Sequence, residues 1–400
     1  MHINYRRIHW LGVMLLLLAR PATAADGPRP LADQYLLSGE LAQGELALED
    51  AIALNAKDDQ ARFGLGVLQL VRGVERLGQS LYEYGAKSEI THTPFVRLPV
   101  PRNPDPATIR YEDFRRILSD FHRDLATTDA TLAAITDDQV NLPVRLALIR
   151  LDLDGDGKPT DRFDELLEKL MRRRPPVLAA NPEFLVRFDR GDVAWMRAYC
   201  HLLMAMLDGT LAGESQIWFD ASADLWFSKP TVSYAGREQD RWKVAAAQDT
   251  FKLREPARLK RFRRHLVKVA ELNRETWKYV RAETDDDHEW LPNPKQTGVL
   301  GLPVRGEMID AWLDAVAELE NVLEGKRLFL SIFLNKNGKG INLKTVLEDP
   351  PAQINVRGDF KDMFPDKYWE HGQDVDLGKF VRAASMFQDS LSVGYAVWFN

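Results

Sequence analysis

Apolar residues recur every three or four positions through most of this chain of 400 residues, and this spacing limits the fold more than any other feature. In the stretch 41–54, for example, they fall on one side of a helix. The same spacing predicts further helices over 61–71, 110–135, 192–207, 256–281 and 308–324. Runs of alternating polarity, which are typical of half-buried strands, are scarce. The sequence therefore predicts a mostly α fold, built as a multi-helix array or bundle.

Residues that start or stop helices stand at the ends of these segments. Asp189 is a suitable N-cap for the helix over 192–207, and Gly325 is a suitable stop after 308–324. Prolines predict breaks at 88–108 and 174–182. The apolar run 328–334 fits either a strand or a buried helix.

These breaks suggest an organisation for the chain. We expect a helical hairpin region over 25–90 and a main helical domain over 91–345. An irregular, aromatic-rich C-terminal segment over 346–400 is expected to pack on that domain.

The first 24 residues have the pattern of a cleaved secretory signal. Arg6 and Arg7 precede an apolar run of about ten residues, and the small triplet 22–24 follows. The run is too short to span a bilayer as a helix, so an uncleaved anchor is the less favoured alternative. We therefore predict a cut after Ala24 and a periplasmic or secreted protein with no transmembrane segment in its mature chain.

Removal of residues 1–24 takes away three arginines and changes the formal net charge from −6 to −9. An acidic exported chain is a poor candidate for nucleic-acid binding. The single cysteine, Cys200, cannot form an internal disulfide, so core burial and a bound metal are the remaining means of stabilisation.

The segment 51–68 joins two predicted helices through a short turn at 55–59, with small residues where the helices approach each other. It resembles the join between two tetratricopeptide repeats. The resemblance covers about one repeat, and no period near 34 residues continues it. We therefore expect a tetratricopeptide-like helix hairpin at the N-terminus, without a peptide-binding superhelix.

The sharpest motif is Asp152-Leu-Asp154-Gly-Asp156-Gly157. Carboxylates at positions 1, 3 and 5 of a tight loop can converge on one cation, and the glycine at position 6 permits a turn that presents the main-chain carbonyl of Lys158. Thr160 stands at position 9. With an entering helix over 144–151 and an exiting helix over 161–171, the segment resembles an EF-hand calcium loop.

The loop 152–163 departs from the EF-hand pattern at position 12, where Phe163 replaces the bidentate glutamate. Asp161, Asp164 and Glu165 are the nearest carboxylates, and we expect Asp164 or Glu165 to complete the site. Three carboxylates within five residues repel one another unless a cation is bound. The sequence therefore predicts one structural Ca²⁺ here, and the alternative is a hydrated Asp/Gly-rich turn.

Three other groups are weaker candidates. Asp285-Asp-Asp-His-Glu289 is dense in ligand atoms, but consecutive side chains diverge, which favours a hydrated loop. Cys200 and His201 are also neighbours that diverge on a helix, so a buried, inert thiol is expected. The basic helix over 258–268 is expected to pair with acidic residues elsewhere.

Three stretches, 142–157, 191–205 and 396–400, are similar to those of an uncharacterised family of bacterial exported proteins. This resemblance implies a shared architecture and carries no reaction with it. No catalytic motif such as G-x-S-x-G or H-E-x-x-H occurs, and catalytic residues remain unassigned. We expect a helical binding or scaffold protein whose ligand is a protein or an envelope polymer. The alternative is a Ca²⁺-stabilised hydrolase that acts on envelope polysaccharide or peptide.

Overall fold

The computed structural model describes residues 29–87, 95–246, 250–329, 338–355, 363–387 and 398–399. The predicted signal peptide therefore lies outside the described residues. So does most of the apolar run 328–334, and so do parts of the C-terminal segment.

Helices dominate the described part of the chain, as the sequence predicts. They are α1 Leu31–Ser38, α2 Leu41–Leu54, α3 Asp59–Glu83, α4 Tyr111–Ala133, α5 Phe163–Met171, α6 Val177–Ala180, α7 Arg190–Ala212, α8 Gln216–Trp226, α9 Glu238–Ala246, α10 Ala257–Ala282, α11 Gly306–Leu323, α12 Leu343–Glu348 and α13 Leu377–Met386. Short 3₁₀ turns occupy Leu146–Leu148 and Asp366–Tyr368.

Short strands form antiparallel pairs between these helices. The pairs are β1 Leu142–Arg145 with β4 Leu185–Phe188, β2 Arg150–Leu151 with β3 Asp161–Arg162, β5 Thr250–Lys252 with β7 Gln353–Asn355, and β6 Gly340–Ile341 with β8 Trp369–Glu370. The β2–β3 pair matters most for function, because it brings Leu151 opposite Asp161 and closes the acidic loop between them.

Helix α7 lies at the centre of the molecule and packs against α10 and α4, and α4 in turn packs against α3. One buried apolar cluster joins α1, α2 and α3 to residues 132–196, and a second joins α3 and α4 to the later turns of α7 and to α8. A third cluster lies around Trp277 of α10 and includes Trp398 and Phe399. The acidic loop emerges beside the first of these clusters.

Most of the predicted helices and caps are confirmed. The helix predicted over 41–54 is α2, and the Asp58 carboxylate accepts a hydrogen bond of 2.8 Å from the Ala61 N–H at the start of α3. Asp189 caps α7 by accepting the Gly191 N–H at 2.7 Å. The basic helix α10 pairs with acidic residues elsewhere, as in the 2.8 Å contact between Arg258 and Asp208.

Two predictions of local structure are wrong. Residues 144–151 do not form a helix entering the acidic loop, because they hold the end of β1, a 3₁₀ turn and β2. The described part of 346–400 is not wholly irregular, since it contains the helix α13. The proline-rich break at 174–182 also contains the single turn α6.

Candidate functional site

The acidic loop is a β-hairpin connection rather than the centre of a helix–loop–helix. Ile149, Leu151 and Leu153 are all buried, and the polar residues between them face outward. This alternation is a strand pattern, which explains why an entering helix does not form. Gly155 and Gly157 have φ values of 71° and 82°, a backbone conformation that glycine adopts without strain.

Three of the predicted ligands come together at the tip of this hairpin. Carboxylate oxygens of Asp152, Asp154 and Asp156 all lie within 4.8 Å of one another. The Asp156 N–H donates to Asp152 Oδ1 at 3.1 Å and to Asp154 Oδ1 at 3.2 Å. The Gly157 N–H donates to Asp152 Oδ2 at 3.0 Å. The turn therefore aims the three carboxylates at one small volume.

The other predicted ligands are arranged differently. The Lys158 N–H donates to Asp156 Oδ1 at 2.8 Å, and the Lys158 ammonium donates to Asp156 Oδ2 at 3.2 Å. These two hydrogen bonds hold the pKa of Asp156 below its usual value. Thr160 and Glu165 are exposed. Asp164 makes a two-pronged contact with Arg162, at 3.0 Å and 2.8 Å. Asp161, Asp164 and Glu165 all lie outside the converging group of three.

Asp161 is one of the three nearest carboxylates in the sequence, although the sequence favours Asp164 or Glu165 as the ligand that completes the site. Its Oδ2 accepts the Leu153 N–H at 3.2 Å. Burial raises the pKa of Asp161, and the nearby charges of Asp154 and Asp152 raise it further. A hairpin prediction would have found this residue, because it stands opposite Leu151 in the register.

The base of the loop is fastened to α3. Glu75 accepts the Asp152 N–H at 2.8 Å, and Gln79 donates to the Asp152 carbonyl oxygen at 2.8 Å. Burial raises the pKa of Glu75 to about 7, and the charge of Asp152 acts in the same direction. On the other side, a Cβ added at Gly39 would lie 2.2 Å from Cβ of Pro159. The loop therefore packs tightly on the N-terminal helices.

A polar pocket of about 500 Å³ opens where the loop meets these helices. Its lining includes Gly39, Gln43, Arg72, Gln79, Asp152 and Pro159. Residues of both charge signs and the loop itself contribute to its walls. A ligand with hydrogen-bonding groups fits this pocket better than an apolar one.

A second acidic group lies where α7 begins and α10 ends. Oxygens of Asp189, Glu283 and Glu289 lie within 4.8 Å of one another. Burial raises the pKa of Glu283 to about 9, assisted by the charge of Asp189, and burial raises the pKa of Glu289 to about 7. Glu289 comes from the ligand-dense segment 285–289, so one member of that segment does join a cluster.

Asp189 and Glu283 also line a pocket of about 310 Å³, together with Tyr279 and Asp285. Carboxyl groups that keep a proton near neutral pH can donate it to a substrate. This pocket is therefore the place in the described chain where acid–base chemistry fits best.

Cys200 is fully buried, and burial raises the pKa of its thiol, as expected for an inert cysteine. Its neighbour His201 contacts His265 rather than the thiol, with their Nδ1 atoms 2.7 Å apart.

No protein-family model, curated protein or solved structure matches this chain. Across the described ranges, no helix combines the length and apolar character needed to cross a membrane.

Proposed function

We propose that the hairpin loop 152–161 binds one structural Ca²⁺ and that the protein is an exported helical binding or scaffold protein. The convergence of the Asp152, Asp154 and Asp156 carboxylates within 4.8 Å carries this proposal. Ca²⁺ prefers carboxylate and carbonyl oxygens and accepts irregular geometry. The three aspartates and the Lys158 carbonyl supply protein ligands, and water supplies others.

The ligand that closes the site is Asp161 rather than Asp164 or Glu165. Asp161 is close enough for the charges of Asp152 and Asp154 to raise its pKa, whereas Asp164 is held by Arg162. A cation reverses that repulsion, because it neutralises the four carboxylates together. Thr160 is exposed beside the loop and has no assigned role in the site.

Binding of Ca²⁺ would fix the shape of the neighbouring pocket. Asp152 is held by Glu75 and Gln79 of α3, and Pro159 packs on Gly39. Because Asp152 and Pro159 line the 500 Å³ pocket, an ordered loop also fixes the position of the pocket wall. We infer that the pocket receives a polar segment of a protein or an envelope polymer, in the periplasm or outside the cell.

Isothermal titration with Ca²⁺ tests the site directly. The wild-type chain should bind one equivalent, and Asp154→Asn with Asp156→Asn should remove that binding. Asp164→Asn should bind as the wild type does, whereas Asp161→Asn should weaken binding. Equal titration curves for the wild type and the Asp154/Asp156 double variant would overturn the calcium site.

The 310 Å³ pocket lined by Asp189 and Glu283 supports a second candidate function, hydrolysis of an envelope polysaccharide or peptide. The observation that favours it is the pKa of Glu283, which burial and Asp189 raise to about 9. Glu283 would donate a proton to the leaving group, and Glu289 or Asp189 would act as the base. Ca²⁺ would stabilise this hydrolase without taking part in the reaction.

Digestion of purified cell-wall polymer tests the hydrolase. Release of soluble fragments by the wild type and its loss in Glu283→Gln would support this function. Release by neither protein, or equal release by both, would leave the binding role as the function of the chain.

A further inference from the structure

Three histidines from three central helices meet inside the helical core. They are His122 of α4, His201 of α7 and His265 of α10, and their side chains are only 12–18 % exposed. The ring centroids of His201 and His265 are 5.0 Å apart, and those of His122 and His265 are 5.8 Å apart. These are three of the eight histidines in the chain.

Two aspartates complete this group in a reciprocal arrangement. Asp129 follows His122 by seven residues on α4, and Asp208 follows His201 by seven residues on α7. The two helices run in opposite directions, so each histidine faces the aspartate of the other helix. Nε2 of His122 lies 3.6 Å from Asp208 Oδ2, and Nε2 of His201 lies 3.2 Å from Asp129 Oδ2.

His265 lies between the pair His201–Asp129 and the pair His122–Asp208. Its Nδ1 lies 2.7 Å from His201 Nδ1, and its Nε2 lies 3.7 Å from Asp208 Oδ2. The contacts thus form a row from Asp129 through His201 and His265 to Asp208. A neutral imidazole carries one N–H, so two rings supply two hydrogens for three contacts. The 3.7 Å separation between His265 Nε2 and Asp208 Oδ2 is too long for a hydrogen bond, so this is the contact left without a hydrogen.

The ring hydrogens have a preferred arrangement. If His201 donates toward Asp129 and His265 donates to His201, the lone pair of His265 Nε2 faces Asp208. Nε2 of His122 and Nε2 of His201 are both buried, and neither makes a hydrogen bond of good geometry.

Arginines donate hydrogen bonds to the aspartate oxygens but not to the imidazole nitrogens. Arg258 donates to Asp208 Oδ1 at 2.8 Å, which leaves Oδ2 with the longer contacts to Arg261, at 3.3 Å, and to the two histidines. Within the described contacts, no arginine donates to an imidazole nitrogen. Nε2 of His122 and Nε2 of His265 thus both face Asp208 Oδ2, and ligand atoms of these three residues all lie within 4.8 Å of one another.

We propose that a divalent transition-metal ion of the Zn²⁺ class binds between Nε2 of His122, Nε2 of His265 and Oδ2 of Asp208. Imidazole and carboxylate ligands suit Zn²⁺, at metal–ligand distances of about 2.0–2.2 Å. Tetrahedral ligands at that distance lie roughly 3.3–3.5 Å apart, so the 3.6 Å and 3.7 Å contacts need only a small contraction.

His201 and Asp129 are positioning residues in this site. A histidine ligand usually donates its second N–H to a nearby acceptor, which fixes the ring and its tautomer. His265 has such an acceptor in His201 Nδ1, and Asp129 in turn faces the other nitrogen of His201. A fourth position on the ion remains for water.

Titration with Zn²⁺ alone tests the proposal, with Asp154→Ala and Asp156→Ala in every protein so that the acidic loop does not contribute. One equivalent should bind, and His122→Gln or His265→Gln should weaken binding at least about 100-fold. His201→Gln should weaken it about 10-fold, as expected for a residue that positions a ligand. His288→Gln is the control, since that histidine is exposed outside the cluster.

The reference protein is the Asp154/Asp156 double alanine variant with all its histidines intact. If it does not bind Zn²⁺, or if His265→Gln and His288→Gln weaken binding equally, the proposal is overturned. Circular dichroism establishes that each variant is folded. If the glutamine variants do not fold, Co²⁺ decides on the reference protein. An intense visible spectrum indicates a low-coordinate nitrogen and oxygen site, and the weak spectrum of an oxygen-only octahedral ion overturns the proposal. Ca²⁺ binding at the loop is measured separately, so either site can fail alone.

Discussion

The acidic loop and the buried carboxylates of Asp189, Glu283 and Glu289 use the same chemistry in opposite surroundings. Each brings three carboxylates within 4.8 Å. In the loop, the aspartates are half-buried or exposed and accept backbone N–H groups. In the second cluster, burial raises the pKa of Glu283 to about 9 and that of Glu289 to about 7. Repulsion is thus relieved by a proton in the cluster at Glu283, whereas a cation is the counterpart that we propose for the loop.

Removal of calcium should give the largest effect that separates the two regions. At a Ca²⁺ concentration 100 times the Kd, binding to the native state adds about 3 kcal/mol, which should raise the melting temperature by several degrees. Chelator should reverse the shift, and Asp154→Ala with Asp156→Ala should abolish it. Glu283→Gln should retain the shift in full. Differential scanning fluorimetry measures the melting temperature of all three proteins.

The control for this comparison is Asp105→Ala with Asp314→Ala, which removes two exposed carboxylates that belong to neither cluster. Its calcium shift should match that of the wild type. If Glu283→Gln loses the shift and the Asp154/Asp156 double variant keeps it, the roles of the two clusters are the reverse of those proposed.

Local features of the fold follow from the sequence, and features that depend on distant pairing do not. The limits of α2 and the caps Asp58 and Asp189 depend on neighbouring residues, and the sequence predicts them. The apolar stretch 144–151 satisfies both a helical and an alternating pattern. Pairing of residues 144–145 with 185–186 and of residues 150–151 with 161–162 decides in favour of strand, and neither contact is visible in a local window.

The same division holds for the sites. Asp152, Asp154 and Asp156 are adjacent in sequence, so their convergence is predictable. Asp161 becomes the favoured residue to complete the site only once the hairpin register is known. The histidines at 122, 201 and 265 are separated by more than sixty residues each, and no spacing rule connects them. Their meeting depends on how α4, α7 and α10 pack.

Glu283→Gln should change how stability depends on pH. The pKa of Glu283 is raised above its unfolded value of 4.5 to about 9 by burial and by Asp189, with Glu289 adding to it. The folded state therefore holds a proton that the unfolded state releases, and wild-type stability falls as the pH rises from about 4.5 to about 9. Glutamine does not ionise, so the variant should be more stable at pH 9 by about 2 kcal/mol.

Urea denaturation at pH 5, 7 and 9 measures this difference. Glu271→Gln on the same helix is the control, because that side chain is exposed and paired with Lys268. The groups facing Glu283 are Asp189, Asp192, Glu289 and Gln296. A variant that is less stable than the wild type at pH 9 would contradict a protonated Glu283.

Gly157→Ala tests whether the loop geometry itself brings the carboxylates together. Gly157 has φ 82° and no neighbour within 4 Å of an added Cβ, so the substitution introduces backbone strain without a clash. The expected loss of stability is about 1 kcal/mol, the usual range for an L-residue in this conformation. Calcium affinity should fall as well, because the strained turn aims the aspartates less well. Gly306→Ala, which also meets open space but has no positive φ, should change neither quantity.

Lys158→Ala should give the smallest effect. It shows whether the Lys158 ammonium competes with Ca²⁺ for Asp156 or instead helps to hold the loop in its binding conformation. Lys158 Nζ lies 3.2 Å from Asp156 Oδ2, and both side chains are exposed. A bound Ca²⁺ competes with this ammonium for the same oxygen, so the variant should bind Ca²⁺ about two- to threefold more tightly at low salt, and the gain should fade as salt screens the pair. Lys57→Ala, an exposed lysine elsewhere, should leave the titration unchanged. Weaker Ca²⁺ binding after Lys158→Ala would mean that the lysine side chain helps to shape the loop. Neither lysine variant should change the pH dependence of stability that the protonated cluster at Glu283 produces.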